Sequence, residues 1–282
     1  MPAGLRSYVE AISGTPLPHG ILGASCSTIT DIGEDRIHEL NGVEWLALGC
    51  CPVRDWPDPC EDSESPGDES PGSPPVKEFC RPEVEHAKPI TVYAGAECSA
   101  LGWSYEEARA HAEATLALGE QHALEAAFWR TRLTTEGHVV TPAGPVNIAA
   151  AIAALEGCLA EQYGGVGTIH VPAGAAALLG CCNIVREDPA TGALRTLAGN
   201  CVVIGGGYSA ENTGPGGVPA EAGTAWLYAT GPLVIRRGPV ETIPNRSASV
   251  NIRTNDRRVL VERTYVVGTT CVTCAAQIEV CP

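Results

Sequence analysis

The sequence predicts an α+β chain, and three stretches carry that expectation. In the C-terminal third, Ser247 to Arg253 puts Ala248, Val250 and Ile252 on one face and Ser249, Asn251 and Arg253 on the other. After Asn255-Asp256, a second run puts Val259, Val261, Tyr265 and Val267 on one face, with Arg258, Glu262 and Thr264 opposite. A period of two means half-buried strands, and the Asn-Asp turn favours an antiparallel hairpin. The second stretch is a long proline-free run from Ser104 to Arg132. In the third, from Pro145 onward, helical and strand patterns alternate.

Residues 1–40 are weakly patterned and read as an extended arm rather than an independent domain. Val43, Trp45, Leu46 and Leu48 form a short apolar run that predicts a strand. Asp58 to Pro75 consists largely of Pro, Gly, Ser, Asp and Glu. It cannot bury enough apolar surface to order itself and is expected to be a mobile acidic loop. Order is expected again over Val76 to Val84, and a strand begins at Pro89 to Tyr93.

Ser104 and Glu107 have the spacing of a capping box, each side chain satisfying the other's backbone N–H. The helix they open runs to about Arg132, a span of ~40 Å. Its apolar stripe (Ala108, Ala112, Leu116, Ala123, Ala127) is thin until Phe128 and Trp129. Such a helix is expected along a surface or between subunits. Beyond Pro145, Ile148, Ile152, Leu155 and Leu159 predict a helix over 147–162, stopped by Gly164-Gly165. A strand over Val166 to Val171 follows, then a short helix from Pro172 through Leu179, ended by Gly180. Cys201 to Ile204 reads as a buried strand and Gly205 to Gly223 as a Gly-rich loop. Further strands are expected at Ala225 to Ala229, Leu233 to Arg237, the hairpin, and Val272 to Val280.

At 282 residues the chain is one large domain or two modest ones. Acidic side chains outnumber basic ones 33 to 18, for a net charge of −15, which argues against dedicated nucleic-acid binding. No apolar run approaches the ~18 residues a membrane span needs, so no membrane partner is expected. Met1 to Glu10 lacks the apolar core of a signal peptide. The 13 cysteines are accordingly expected to be reduced, buried thiols. Disulfides formed after release from a cell, or a metal site, stand as alternatives.

No motif assembles a reaction centre. Cys271-x-x-Cys274 lacks the second cysteine pair of a zinc site and the helix N-terminus of a redox site, and is read as structural. Gly205-Gly206-Gly207 is read as a flexible surface loop with no helix after it to bind an anion. Ser99, Ser104 and seven histidines offer parts without an arrangement, and His170 is expected in a solvated or interface role on its strand. Glu106, Glu107, Glu113, Glu120 and Glu125 are read as a solvated helix face, partly paired with Arg109. The expectation is no enzyme, no catalytic or cofactor-binding residue, no metal ligand and no cofactor.

In order, these elements resemble the major capsid proteins of tailed phages with the Hong Kong 97-type fold. "TLAGNCVVIGGG" (Thr196 to Gly207) is similar to the family's flat buried strand before a loop. "AWLYATGPLVIRR" (Ala225 to Arg237) and "RRVLVERTYVVGTTCVTCAAQIEV" (Arg257 to Val280) are similar to its later strands. The proline that usually precedes the last strand is missing, with Thr270-Cys271 in its place, and the acidic loop is unusual. The resemblance implies an N-terminal arm (1–40) and an extended loop (41–92). It implies a peripheral domain (93–144 and 232–268) with a spine helix and β-hairpin, and an α/β axial domain (145–231 and 269–282). It implies a structural subunit of an icosahedral virion, made in the bacterial host cytoplasm. Its partners would be copies of itself in hexamers and pentamers, with scaffold, portal and decoration proteins, around DNA held without sequence-specific binding. Some members crosslink through a loop lysine; Lys77 and Lys88 lie in that region, with no such chemistry assigned. An encapsulin-like compartment shell, another virion component, and a soluble enzyme or binding protein without a local motif are the alternatives.

Overall fold

The computed structural model describes residues 14–51, 53–54, 77–100, 102–180 and 183–280. The acidic loop expected at Asp58 to Pro75 lies outside them. In chain order come β1 (Thr28–Asp31), a 3₁₀ turn (Glu34–Asn41), β2 (Val43–Leu46), β3 (Val84–Ala87), β4 (Pro89–Ser99) and α1 (Tyr105–Phe128). A π-turn (Trp129–Leu133) leads into α2 (Thr134–Glu136) and β5 (His138–Val139). Then follow α3 (Ile148–Gln162), β6 (Thr168–Pro172), α4 (Ala176–Leu179), β7 (Val185–Glu187), β8 (Leu194–Thr196), β9 (Cys201–Gly205) and α5 (Gly206–Glu211). Strands β10 (Thr224–Thr230), β11 (Val234–Arg237), β12 (Glu241–Ile243), β13 (Val250–Asn251), β14 (Asp256–Gly268) and β15 (Thr273–Glu279) complete the chain.

The capping box forms as expected. Ser104 Oγ accepts the Glu107 N–H at 3.1 Å, and Glu107 Oε2 accepts the Ser104 N–H at 2.8 Å. From there α1 runs 24 residues, about 36 Å. Its buried stripe starts at Ala108, Ala112 and Leu116 but continues through Gln121, Leu124, Glu125 and Phe128. Ala123, expected in the stripe, is exposed. This face packs on β4 and β14 of its own chain, so the stripe does not wait for a neighbour. Alanine at the first two positions lets the helix sit close to the sheet.

The alternating run at 256–268 is one strand, β14, and Val259, Val261, Tyr265 and Val267 point into the core as read. Its main partner is a correction. β14 pairs antiparallel with β4 along eleven positions, from Asp256↔Ser99 to Val266↔Pro89. The run Ser247 to Arg253 is largely not a strand. Asn245 caps a 3₁₀ turn at Arg246–Ala248, and only Val250–Asn251 pairs with β14. Ala248 and Ile252 are exposed while Ser249 is buried, the reverse of the face assignment. Strands β1, β11 and β12 complete this six-stranded sheet.

A second sheet has the order β5-β15-β10-β6-β9-β8-β7. Helix α3, capped by Asn147 accepting from the Ala150 N–H at 2.9 Å, lays Ile148, Ile152, Leu155 and Leu159 onto it. They share a core with Ile169, Val171, Val202, Leu227 and Ile278. The stretch after β9, expected to be a loop, begins with the helix α5. Two glycines make this weak helix text, but Gly207 seats the turn on α1, where a Cβ would collide with the His122 carbonyl, and Tyr208 is buried. Residues 20–32, expected within an extended arm, lie on their own chain: Ile21 is fully buried and β1 runs parallel to β11.

Candidate functional site

Three segments that the sequence leaves without a core of their own are fastened to the two sheets at three places. The first fastening is Glu125 on α1. Its side chain is fully buried; Oε1 accepts the Ile21 N–H at 3.0 Å and Oε2 the Gly207 N–H at 2.9 Å. One turn earlier, Gln121 Oε1 accepts the Gly23 N–H at 3.1 Å and its Nε2 donates to the Leu17 carbonyl at 3.0 Å. Burial pushes the Glu125 carboxyl up to about 7, opposed by the N–H groups of Gly207, Ile21 and Gly206. The reading of Glu125 as a solvated residue is therefore corrected: it is a buried acceptor joining the N-terminal segment, α1 and α5. Glu120 is corrected too, taking Arg263 Nη1 at 2.9 Å and the Tyr265 hydroxyl at 2.8 Å across the α1–β14 contact. Glu106 and Glu113 keep surface pairs, with Arg246 and Arg109.

Beside this knot His170 is fully buried, which overturns its expected solvated or interface role. Thr230 Oγ1 lies 2.9 Å from the Gly231 carbonyl oxygen. His170 Nε2 lies 3.0 Å from Thr230 Oγ1 and Nδ1 lies 3.0 Å from the Tyr208 hydroxyl, one ring nitrogen donating and the other accepting. Burial lowers the imidazole to about 3, so it stays neutral, and raises the Tyr208 phenol. Every polar atom of the ring is engaged within the core. The arrangement is a structural one.

The second fastening lies where α1 widens into the π-turn. The extra residue there brings Trp129, Arg132 and Leu133 all inward. Trp129 Nε1 donates to the Thr213 carbonyl at 3.1 Å, and the ring meets Tyr228 edge-on at 4.8 Å. Arg132 bonds Glu85 of β3 at 2.8 Å, Glu136 at 2.7 Å and the Thr270 carbonyl at 3.2 Å. It thereby holds the β2–β3 hairpin to the helix end and to the turn before β15.

That hairpin is thinly covered. Its ladder runs from Val43↔Ala87 to Leu46↔Val84, and Trp45 lies over Gly268. Outward, Leu46, Leu48, Val53, Phe79 and Val84 are exposed, Leu48 at 81% and Phe79 at 97%. Exposed large apolar side chains gathered on two short limbs have the composition of a surface suited to pack against another. Lys88 is exposed in the turn between β3 and β4, and Lys77 lies on the outward limb.

The third fastening is covalent and corrects the expectation of free thiols. Disulfides join Cys26–Cys201, Cys50–Cys271, Cys51–Cys80 and Cys158–Cys274, with Cα separations of 6.1, 6.1, 5.7 and 6.5 Å. These separations suit a bridge, and the partners stand 29 to 221 residues apart, beyond what sequence spacing reveals. Cys271 and Cys274 are structural, as read, each with a different partner. Cys98 is a free thiol among the described residues. Among those residues no three His, Cys, Asp or Glu side chains gather as a metal site, and no helix is long and apolar enough to cross a membrane.

No protein-family model matches the sequence, and no curated protein does. Solved structures do. A chain of Mycobacterium phage Che8 superimposes with a TM-score of 0.52 at 12% identity, over 97% of this chain and 96% of that one. A capsid chain of an empty GTA particle gives 0.52 at 12% identity, over 97% and 94%. Each superposition spans nearly the whole of both chains, so the fold is shared nearly end to end.

Proposed function

The chain has the Hong Kong 97-type fold, and from that premise we propose that it is the major capsid protein of a tailed double-stranded DNA phage. Many copies tile an icosahedral shell, arranged as hexamers and pentamers. The carrying observation is the end-to-end match in architecture to chains of phage and GTA particles. The exposed apolar side chains on and beside the β2–β3 hairpin support it, since a solitary subunit gains nothing from that display. In this reading the hairpin belongs to the extended loop of 41–92, α1 is the spine helix, and the two sheets belong to the peripheral and axial domains. The protein acts by assembly rather than catalysis. A net charge of −15 lets the shell enclose DNA without gripping it.

The test is to express the full chain and examine it by size-exclusion chromatography and negative-stain electron microscopy. Closed shells, or free hexamers and pentamers, are expected. A monomer that persists at tens of micromolar overturns the proposal.

A further inference from the structure

The four disulfides are not equivalent. Cys26 and Cys201 are already brought together by other forces. The Ile204 N–H donates to the His19 carbonyl at 2.8 Å, and Ile21 and Gly23 are held by Glu125 and Gln121. Cys158 and Cys274 sit on α3 and β15, which pack face to face in the second core. At the hairpin neck the situation differs. The last described backbone hydrogen bond between its limbs is Ala47 N–H to the Glu83 carbonyl at 3.0 Å. Outward of it the described limbs are joined by the Cys51–Cys80 bridge and by the exposed Arg54–Glu78 ion pair. Beneath the neck is an open cleft of about 690 Å³, lined in part by Glu83, Glu161, Tyr163 and Cys271. The Cys50–Cys271 bridge spans its edge.

We propose that the vicinal pair Cys50-Cys51 is a redox lock on the neck. With thiols the described limbs outward of Ala47–Glu83 carry no cross-link and keep the exposed Arg54–Glu78 pair; with disulfides they are tied to each other and to the turn before β15. The oxidant is a low-molecular-weight disulfide, met when the protein leaves a reducing compartment. A cysteine thiolate attacks one sulfur of that disulfide, forming a mixed disulfide and expelling one small thiolate. The partner cysteine then displaces the second small thiolate. Two protein thiols are oxidised, one small disulfide is reduced to two thiols, and the two protons pass to the leaving thiolates. Locking fixes the direction in which Leu48 and Phe79, outward of that hydrogen bond, are presented.

The experiment compares the full chain after oxidised glutathione with the same chain in dithiothreitol. Peptide mass spectrometry reads the bridges, and hydrogen exchange reads residues 43–50 and 80–88. Oxidation is expected to yield the Cys51–Cys80 and Cys50–Cys271 peptides and to slow exchange at the neck by at least about tenfold, leaving β14 and β10 unchanged. Cys51→Ser with Cys80→Ser should abolish most of that difference, and Cys26→Ser with Cys201→Ser should preserve it. Equal neck exchange in the two states, absence of the bridged peptides, or unfolding of both sheets on reduction each overturns the lock. The readout needs no shell, so it fails independently of the capsid reading.

Discussion

Glu125 is where a single residue carries the greatest consequence. A buried carboxylate is costly unless its oxygens are satisfied, and here two backbone N–H groups from distant segments satisfy them. Its folded-state pKa, raised by burial from an ordinary 4.5 to about 7, makes stability pH-dependent in a definite direction. Between those values the folded chain holds the proton that the unfolded chain has released, so stability falls as pH rises. The stabilising contribution is complete below about 4.5 and gone above about 7. That shift corresponds to about 3 kcal/mol across the window. Glu125→Gln removes the titration, and its amide would set a donor against one of the two N–H groups. Urea unfolding from pH 4.5 to 7.5 should show the variant destabilised but lacking this slope, so that its deficit is largest in mild acid. A deficit that stays constant with pH would show that Glu125 keeps the same charge state throughout.

At the scale of the element, α1 is the piece the sequence describes best, and it also shows where description fails. Its start is written in Ser104 and Glu107, because a cap is satisfied within four residues. Ser104→Ala should lower unfolding free energy by about 1 kcal/mol, while Ser247→Ala, on an exposed turn, should change it by less than about 0.5 kcal/mol. Equal effects would mean the cap contributes nothing beyond its surroundings. The far end of α1 was less legible: a π-turn depends on what Trp129 and Arg132 find when they turn inward, at Thr213, Glu85 and Thr270. β14 was legible as a strand but not in its partner, since β4 lies some 160 residues upstream and period-two alternation does not say who pairs with whom. Ser247 to Arg253 alternates as well as β14 does, yet Asn245 diverts it into a turn. The knot around Glu125 escaped for the same reason. A glutamate on a polar helix looks solvated until Ile21 and Gly207 arrive with unpaired N–H groups.

For the whole molecule, the question is which surfaces are complete within one copy. Both sheets have full cores, and the stripe of α1 is buried at home. Among the described residues, the limbs of the β2–β3 hairpin carry Leu46, Leu48, Val53, Phe79 and Val84 exposed, and Arg132 holds its root. If those side chains are buried only in the assembled shell, charge placed on them leaves the isolated subunit intact and penalises association. Leu48→Asp combined with Phe79→Asp should keep the unfolding free energy of the isolated chain within about 1 kcal/mol of the parent, since both sites are solvated there. In the shell each carboxylate would meet an apolar neighbour without a partner, at a cost of a few kcal/mol per contact, repeated at every copy. Assembly yield, measured by light scattering and sedimentation, should therefore collapse although the subunit remains folded. Shells forming at parental yield would mean that the hairpin faces solvent in the assembly and that its apolar row lies outside the contacts between copies.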